Sequence, residues 1–490
     1  MTLASETLII LSVLLPVVAA VLIVLSDKNP NVREAITLAT ASVVAVMVVM
    51  LASRLLEGES LSWHVTSVLP GIDISFSIEP LGMLFALVAG TLWLVTSVYS
   101  IGYMRGHHEQ NQTRFYAAFA VAIGSTLATA FAANMFTLFL CYEILTISTY
   151  PLVTHSGTPE AKRSGRIYLG ILLGTSIGLQ LLGILITWSA AGTLDFTVGG
   201  VLAGKLDPAF AGLLYALFVF GVGKAAVMPF HKWLPAAMVA PTPVSALLHA
   251  VAVVKAGVFT ILKVTIYIFG IDFITGSGAS DVLIWFAALT ILLASLIAMT
   301  KDNLKARLAY STISQLSYIV LGALIATEMS ILGASLHITM HAFAKITLFF
   351  AAGAILVAAH KSDISDMRGL GRAMPITFAA FTIGTLSIIG LPPFGGVWSK
   401  WYLALGAVDA EEWALVAVFM ISSLLNIAYL LPIAIRGFFS APRDGTVYAE
   451  VREAPLPMLI AISITSLMCL VLFFYPDTFY QLALDAAGAH

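Results

Sequence analysis

Ile331-Leu-Gly-Ala-Ser-Leu-His337-Ile-Thr-Met-His341-Ala-Phe-Ala-Lys345-Ile-Thr-Leu-Phe-Phe-Ala-Ala-Gly-Ala-Ile-Leu-Val-Ala-Ala359 is an apolar run whose titratable residues are two histidines and a lysine. A helix that spans a bilayer needs about 20 such residues. His337, His341 and Lys345 stand at i, i+4 and i+8, which places them on one helix face. Ionisable groups inside a membrane are costly and mark function by default. The stretch therefore predicts both a membrane fold and a polar path through it.

The rest of the chain agrees. Of 490 residues, 60% are hydrophobic and 10% charged, against about 25% charged in an ordinary soluble protein. A soluble globular enzyme and a disordered chain are excluded. Lys and Arg number 24, Asp and Glu 26, for a net charge of −2. No basic excess exists to bind nucleic acid. Cys141 and Cys469 form no disulfide scaffold and cannot alone hold an iron–sulfur cluster. The first apolar run, Leu8 to Leu25, has no basic flank or cleavage site, so it reads as a retained helix rather than a signal peptide.

Hydropathy predicts an all-α integral membrane protein with fourteen helices in the lipid bilayer. Helices 1 to 7 are expected over 7–26, 33–54, 80–104, 114–132, 134–154, 166–190 and 208–228. Helices 8 to 14 are expected over 241–269, 281–300, 305–326, 330–359, 374–405, 411–436 and 456–476. The longest connection, between helices 2 and 3, is expected to be a loop of about 26 residues.

Charge tests that count. The odd-numbered connections hold Lys28 and Arg33; Arg105 and Arg114; Lys162, Arg163 and Arg166; Lys232; Lys301, Lys305 and Arg307; Lys361, Arg368 and Arg372; Arg436, Arg443 and Arg452. The even-numbered connections hold Arg54 and Lys205. By the positive-inside rule the odd connections are cytoplasmic, and both termini lie on the non-cytoplasmic side of the cell membrane.

Five basic residues remain inside predicted helices: Lys224, Lys255, Lys263, Lys345 and Lys400. All are lysine. Arginine keeps its proton in a protein, whereas a desolvated lysine can release one. At about 2.5–3.5 kcal/mol each on the insertion scale, such lysines must face protein, water or a partner. Lys263, late in helix 8, is open between that and snorkelling to the interface. Glu143 is the one acid that falls mid-helix, and the lysines are its natural partners. His249 also falls mid-membrane. It stands six residues before Lys255, about 240° round an ideal helix, so the two share no face unless a bulge aligns them. A metal site at His337 and His341 lacks a His-Glu-x-x-His pattern and a third ligand.

Prolines stand beside two of the lysines: Met228-Pro229 after Lys224, and Pro392-Pro393 before Lys400. Breaks at membrane depth are tolerated where they are buried or line water. Helices 7 and 12 are five apart, so the units 4–8 and 9–13 have opposite orientation, as in inverted-repeat transporters. The expected divisions are 1–113 (helices 1–3), 114–269 (first repeat), 270–440 (second repeat) and 441–490 (helix 14). Gly223-Lys224-Ala225 lacks the rest of a nucleotide loop, and no cofactor motif is present. No cofactor or metal is therefore expected, nor an active site beyond ion translocation. A redox-enzyme component with its own quinone site and a self-contained transporter are the rival readings.

Several stretches resemble the antiporter-like subunits shared by complex I, the Mrp-type cation/proton antiporters and membrane-bound energy-converting hydrogenases. They are Gly223-Lys-Ala-Ala-Val-Met-Pro-Phe-His-Lys-Trp-Leu-Pro235, Ala240-Pro-Thr-Pro-Val-Ser-Ala-Leu-Leu-His249, Val254-Lys-Ala-Gly257, Leu304-Lys-Ala-Arg-Leu-Ala-Tyr-Ser-Thr-Ile-Ser314, His337 to Lys345, and Gly390-Leu-Pro-Pro-Phe-Gly-Gly396. The resemblance implies fourteen helices with two inverted five-helix repeats and broken helices 7 and 12. It implies that Glu143 pairs with Lys224, that Lys255 is the central lysine, and that His249, His337, His341 and Lys345 line a hydrated proton path. It makes Lys400 the terminal lysine. Length and Lys400 are similar to the D-type component of Mrp antiporters, and the His249 motif to the A-type component and to complex I. The implied function is proton translocation, with sodium as second ion in an Mrp-type antiporter. The alternative is proton pumping in a redox complex. The implied partners are other membrane subunits.

Overall fold

The computed structural model describes residues 4–442, 448 and 450–488. Arg443, assigned above to a connection, lies outside them. Among the described residues, twelve helices are long and apolar enough to cross a membrane: Ser5–Leu25, Pro30–Leu56, Pro80–Gly106, Gln112–Phe131, Met135–Val153, Pro159–Ala191, Thr242–Phe269, Leu283–Thr300, Leu304–Ile325, Glu328–Ala359, Trp413–Phe439 and Leu456–Phe474. They are helices 1–6, 8–11, 13 and 14 in the numbering above. Two shorter apolar helices, Pro208–Gly221 and Pro375–Ile389, stand where helices 7 and 12 were expected.

Polar residues set the helix starts. Asn29, Glu79, Asn134, Thr158 and Asn303 each cap a first turn by accepting from a backbone N–H. Thr327 and Ser330 form a reciprocal capping box on helix 11. In apolar surroundings an uncapped turn would leave donors unpaired.

Two expectations are corrected, the connection between helices 2 and 3 and the end of helix 7. The connection between helices 2 and 3 is an antiparallel hairpin, β1 (Leu61–Leu69) and β2 (Ile72–Ile78), not a loop. The alternation in Phe76-Ser-Ile78 and the Pro70-Gly71 turn favour it, and Trp63 stacks on Phe76 at 5.1 Å. Helix 7 stops at Gly221 rather than at 228. A single 3-10 turn, Gly223–Ala225, follows, and Ala226 takes a left-handed φ of 56°. Helix 12 is interrupted after Ile389, where Gly390 has φ +89°, and resumes over Gly396–Asp409. Proline removes a donor and glycine admits the left-handed turn, so the chain breaks there. An additional short helix, Asp477–Ala487, follows helix 14.

Helix 8 is buried along its whole length, and helices 10 and 11 are buried over most of theirs. Helix 11 packs against helices 3, 10 and 14 and both halves of helix 12. Helices 1 and 2 form part of the outer wall, with Leu14, Val18, Val21 and Val46 turned outward. Apolar residues facing out on the rim and lysines facing in at the centre reverse the arrangement of a soluble protein.

Candidate functional site

Lys224, Lys255, Lys263, Lys345 and the three predicted histidines are buried and Lys400 is half-buried, and they lie on or beside helices 8, 11 and the two broken helices. Lys224 sits in the 3-10 turn that replaces the end of helix 7. Its ammonium donates to the Tyr142 carbonyl at 2.8 Å and to Thr146 Oγ1 at 2.6 Å, and it lies over the Tyr142 ring. Helix 8 approaches this turn at Gly257, where a Cβ would lie 2.4 Å from the Ala225 nitrogen.

Glu143 neighbours Tyr142 on helix 5. Both its carboxylate oxygens are buried without a hydrogen-bond partner. Lys224 therefore bonds to Tyr142 and Thr146 and makes no ion pair with Glu143 among the described residues.

Lys255 is the junction of helices 8 and 11: its Nζ lies 2.8 Å from His341 Nδ1. As an ammonium Lys255 donates to that nitrogen, which fixes the remaining imidazole proton on Nε2. His341 Nε2 has no protein partner. The His337 ring follows at 5.7 Å, with Nδ1 2.8 Å from Ser399 Oγ on helix 12. Tyr318 stacks on His337 at 5.7 Å and lies 5.0 Å from the Lys400 ammonium. Lys400 donates to the Ile389 carbonyl, exposed by the break in helix 12, at 3.2 Å and to Ser423 Oγ at 3.1 Å. Lys345 turns to helix 10, donating to Ser311 Oγ at 2.7 Å. Tyr429 donates to the same Ser311 oxygen at 3.0 Å and also contacts Asn426.

A π turn does occupy Leu247–Val251 in helix 8. It does not bring His249 onto Lys255. Instead both reach helix 11: His249 packs on Phe349 at 4.7 Å, and Lys255 meets His341. Lys263 does not snorkel. It is buried, with Nζ 2.8 Å from Glu79 Oε1. Glu79 stands outside the apolar runs, just before helix 3, yet as the N-cap of that helix it points into the protein. Among the described residues, no group of three or more His, Cys, Asp or Glu could hold a metal ion.

Tyr142, Thr146, Ser311, Tyr318, Ser399, Ser423 and Tyr429 escape a reading of the sequence. Hydroxyls cost little in an apolar helix and leave no mark on hydropathy. One signal is available: Lys224 and Lys400 each follow the tyrosine beneath them by the same interval in the chain.

A helical membrane protein threaded by buried lysines and histidines is a class built for moving charge. The comparisons refine that class. Residues 132–426 match the family described as NADH:quinone oxidoreductase/Mrp antiporter, TM, and residues 66–116 match the N-terminus of NADH-ubiquinone oxidoreductase (complex I) chain 5. The chain belongs to this NADH:quinone oxidoreductase/Mrp antiporter family. It is 33% identical over 439 residues to NADH-quinone oxidoreductase subunit N of Desulforudis audaxviator, covering 87% of this chain and 85% of that one. It is 30% identical over 430 residues to hydrogenase-4 component B of Escherichia coli, covering 82% of this chain and 62% of that one. In fold it is similar to a chain of the Mrp complex from Dietzia sp., with a TM-score of 0.87 and 22% identity over 100% of this chain and 97% of that one.

Proposed function

We propose that the chain is a proton-translocating, antiporter-like subunit of a multisubunit membrane complex. The observation that carries this reading is the 2.8 Å contact between Lys255 and His341, buried where helices 8 and 11 cross. A proton that leaves the Lys255 ammonium enters His341 at Nδ1, and one can leave that ring at Nε2, as a relay requires. His337, Ser399 and Tyr318 continue toward Lys400, while Lys345 and His249 line the same region. Buried nitrogens of His249, His337 and His341 without protein partners suit bridging water. Lys224 and Glu143 work at the other end. Glu143 favours the charged lysine when close; when Lys224 turns to Tyr142 and Thr146, that support is withdrawn and its proton is freed to move.

Fourteen crossings follow if helix 12 spans the membrane together with its second segment, Gly396–Asp409, and helix 7 together with the Gly223–Ala225 turn and the chain that follows it. The inverted repeats 114–269 and 270–440 draw support from the shared tyrosine–lysine interval. The segments 1–113 and 441–490 then flank them. The alternation of basic connections puts both termini on the non-cytoplasmic side of the cell membrane.

Two couplings suit such a protein. Antiport with sodium in an Mrp-type assembly fits Lys400 in helix 12 and the fold of the Dietzia Mrp chain. Proton pumping driven by redox subunits fits the identity to the NADH-quinone oxidoreductase relative. Flavin or iron–sulfur absorbance in the purified complex would select the second. Small cofactor-free membrane subunits would select the first.

The translocation reading is tested by Glu143→Ala. It is expected to abolish proton transport in vesicles while the complex still assembles, because it removes the acid that cycles with Lys224. Near-normal transport by this variant would refute the relay.

A further inference from the structure

Helix 8 carries a second lysine that the path described above does not use. Lys255, Phe259 and Lys263 stand at i, i+4 and i+8, so Lys263 continues the face of Lys255 toward the far end of the helix. That end is opposite the Lys232 connection and is non-cytoplasmic in the orientation proposed above. The Lys263 ammonium lies 2.8 Å from Glu79 Oε1, and 4.1 Å and 5.0 Å from the ring centres of Phe196 and Tyr267. Tyr267 donates to Glu79 Oε2 at 2.7 Å, and the Leu81 and Gly82 amides donate at 2.9 and 2.8 Å.

The two partners differ in access to water. The Lys263 side chain is 1% exposed and that of Glu79 is 19% exposed. Glu79 is thus the more accessible partner, and along helix 8 Lys263 is followed inward by Phe259 and Lys255. A pair that only clamped helix 3 to helix 8 would be replaced at little cost by packed apolar residues, since burying two charges is expensive.

We propose that Glu79 and Lys263 are a proton-exchange pair joining Lys255 to the aqueous side at this end of helix 8. The inference rests on the relay reading above. In the outward step the Lys263 ammonium passes its proton to the Glu79 carboxylate, leaving a neutral amine and a carboxylic acid. Glu79 releases that proton to water. The amine is then recharged from Lys255 through water bridging about 12 Å, eight residues at 1.5 Å each. One proton leaves Lys255 and one reaches the solvent; the inward step is the reverse.

The test uses the whole complex in vesicles, with Glu143→Ala measured alongside. Lys263→Arg keeps the ion pair but holds its proton. It is expected to lower transport about tenfold or more, as Lys263→Met does, at unchanged assembly. Near-normal transport with arginine but not methionine would make the pair a structural clamp and overturn the proposal. Near-normal transport with both would overturn it as well. Glu79→Asp and Glu79→Gln provide a second arm if arginine disturbs assembly. Aspartate is shorter but titratable; glutamine keeps the length and one acceptor oxygen, so it still accepts from one of the Leu81 and Gly82 amides. A proton-exchange role predicts that aspartate transports faster than glutamine at equal assembly and melting temperature; transport that merely follows melting temperature in the two variants would make the pair a clamp and overturn the proposal. If Glu143→Ala itself transports normally, the relay reading fails; if Glu143→Ala is dead while Lys263→Arg is active, only the present inference fails.

Discussion

Lys400 ends the polar path at a carbonyl that the helix break has freed, with Ser423 as its second acceptor. Neither acceptor carries a charge, so the site tolerates proton loss without stranding a partner. A titratable replacement should therefore serve better than an inert one. Lys400→Glu is expected to retain more proton transport than Lys400→Ala at matched expression. If Lys400 merely paired with an anionic lipid or neighbouring chain, glutamate would be the worse of the two. The lysines and histidines themselves are legible in the sequence, because an ionisable group in an apolar run is too costly to sit there without a use. Their partners are not. Ser311, Ser423 and Tyr318 meet Lys345 and Lys400 from helices 10 and 13, and no local pattern records that contact. Glu79 is hidden for another reason: it lies outside the apolar run, and only the fold turns it inward to Lys263.

Helix 8 shows what an element adds to its residues. The expected span of 241–269 and the observed Thr242–Phe269 agree, because an unbroken apolar run declares its own ends. Its π turn is not derivable, since Leu247–Val251 contains neither glycine nor proline. Gly257 sets how close this helix comes to the helix 7 break. A Cβ there would meet the Ala225 nitrogen at 2.4 Å and the Lys224 carbonyl carbon at 2.5 Å, both backbone atoms. Gly257→Val must push the two elements apart, and overpacking of this kind costs about 1–3 kcal/mol or more. The variant complex is expected to melt at lower temperature and to transport poorly. Unchanged melting and transport would show that the contact does not position Lys224. The breaks in helices 7 and 12 are visible as prolines, but their extent depends on glycine and left-handed turns. The β-hairpin escapes because reading for apolar runs ignores a short alternating segment.

The molecule as a whole spreads its inward-facing charge over several helices, with a continuous run of contacts from Lys255 through His341, His337 and Tyr318 to Lys400. Lys224 with Tyr142, Lys255 with His341, and Lys400 with Tyr318 lie on successive pairs of helices. A membrane potential contributes about 2.3 kcal/mol per charge per 100 mV, so modest differences between neighbouring sites can be driven in either direction. Such a path works only if each member gives up its proton as well as receiving one. Lys255 is the member that joins helix 8 to the histidines of helix 11 by a hydrogen bond, and its substitution by arginine separates a moving proton from a fixed charge. The decisive measurement is proton transport by the complete complex in vesicles carrying Lys255→Arg, compared with Lys255→Ala and the unaltered protein. Transport with arginine as low as with alanine is the expected result. Transport with arginine close to that of the unaltered protein would contradict the relay.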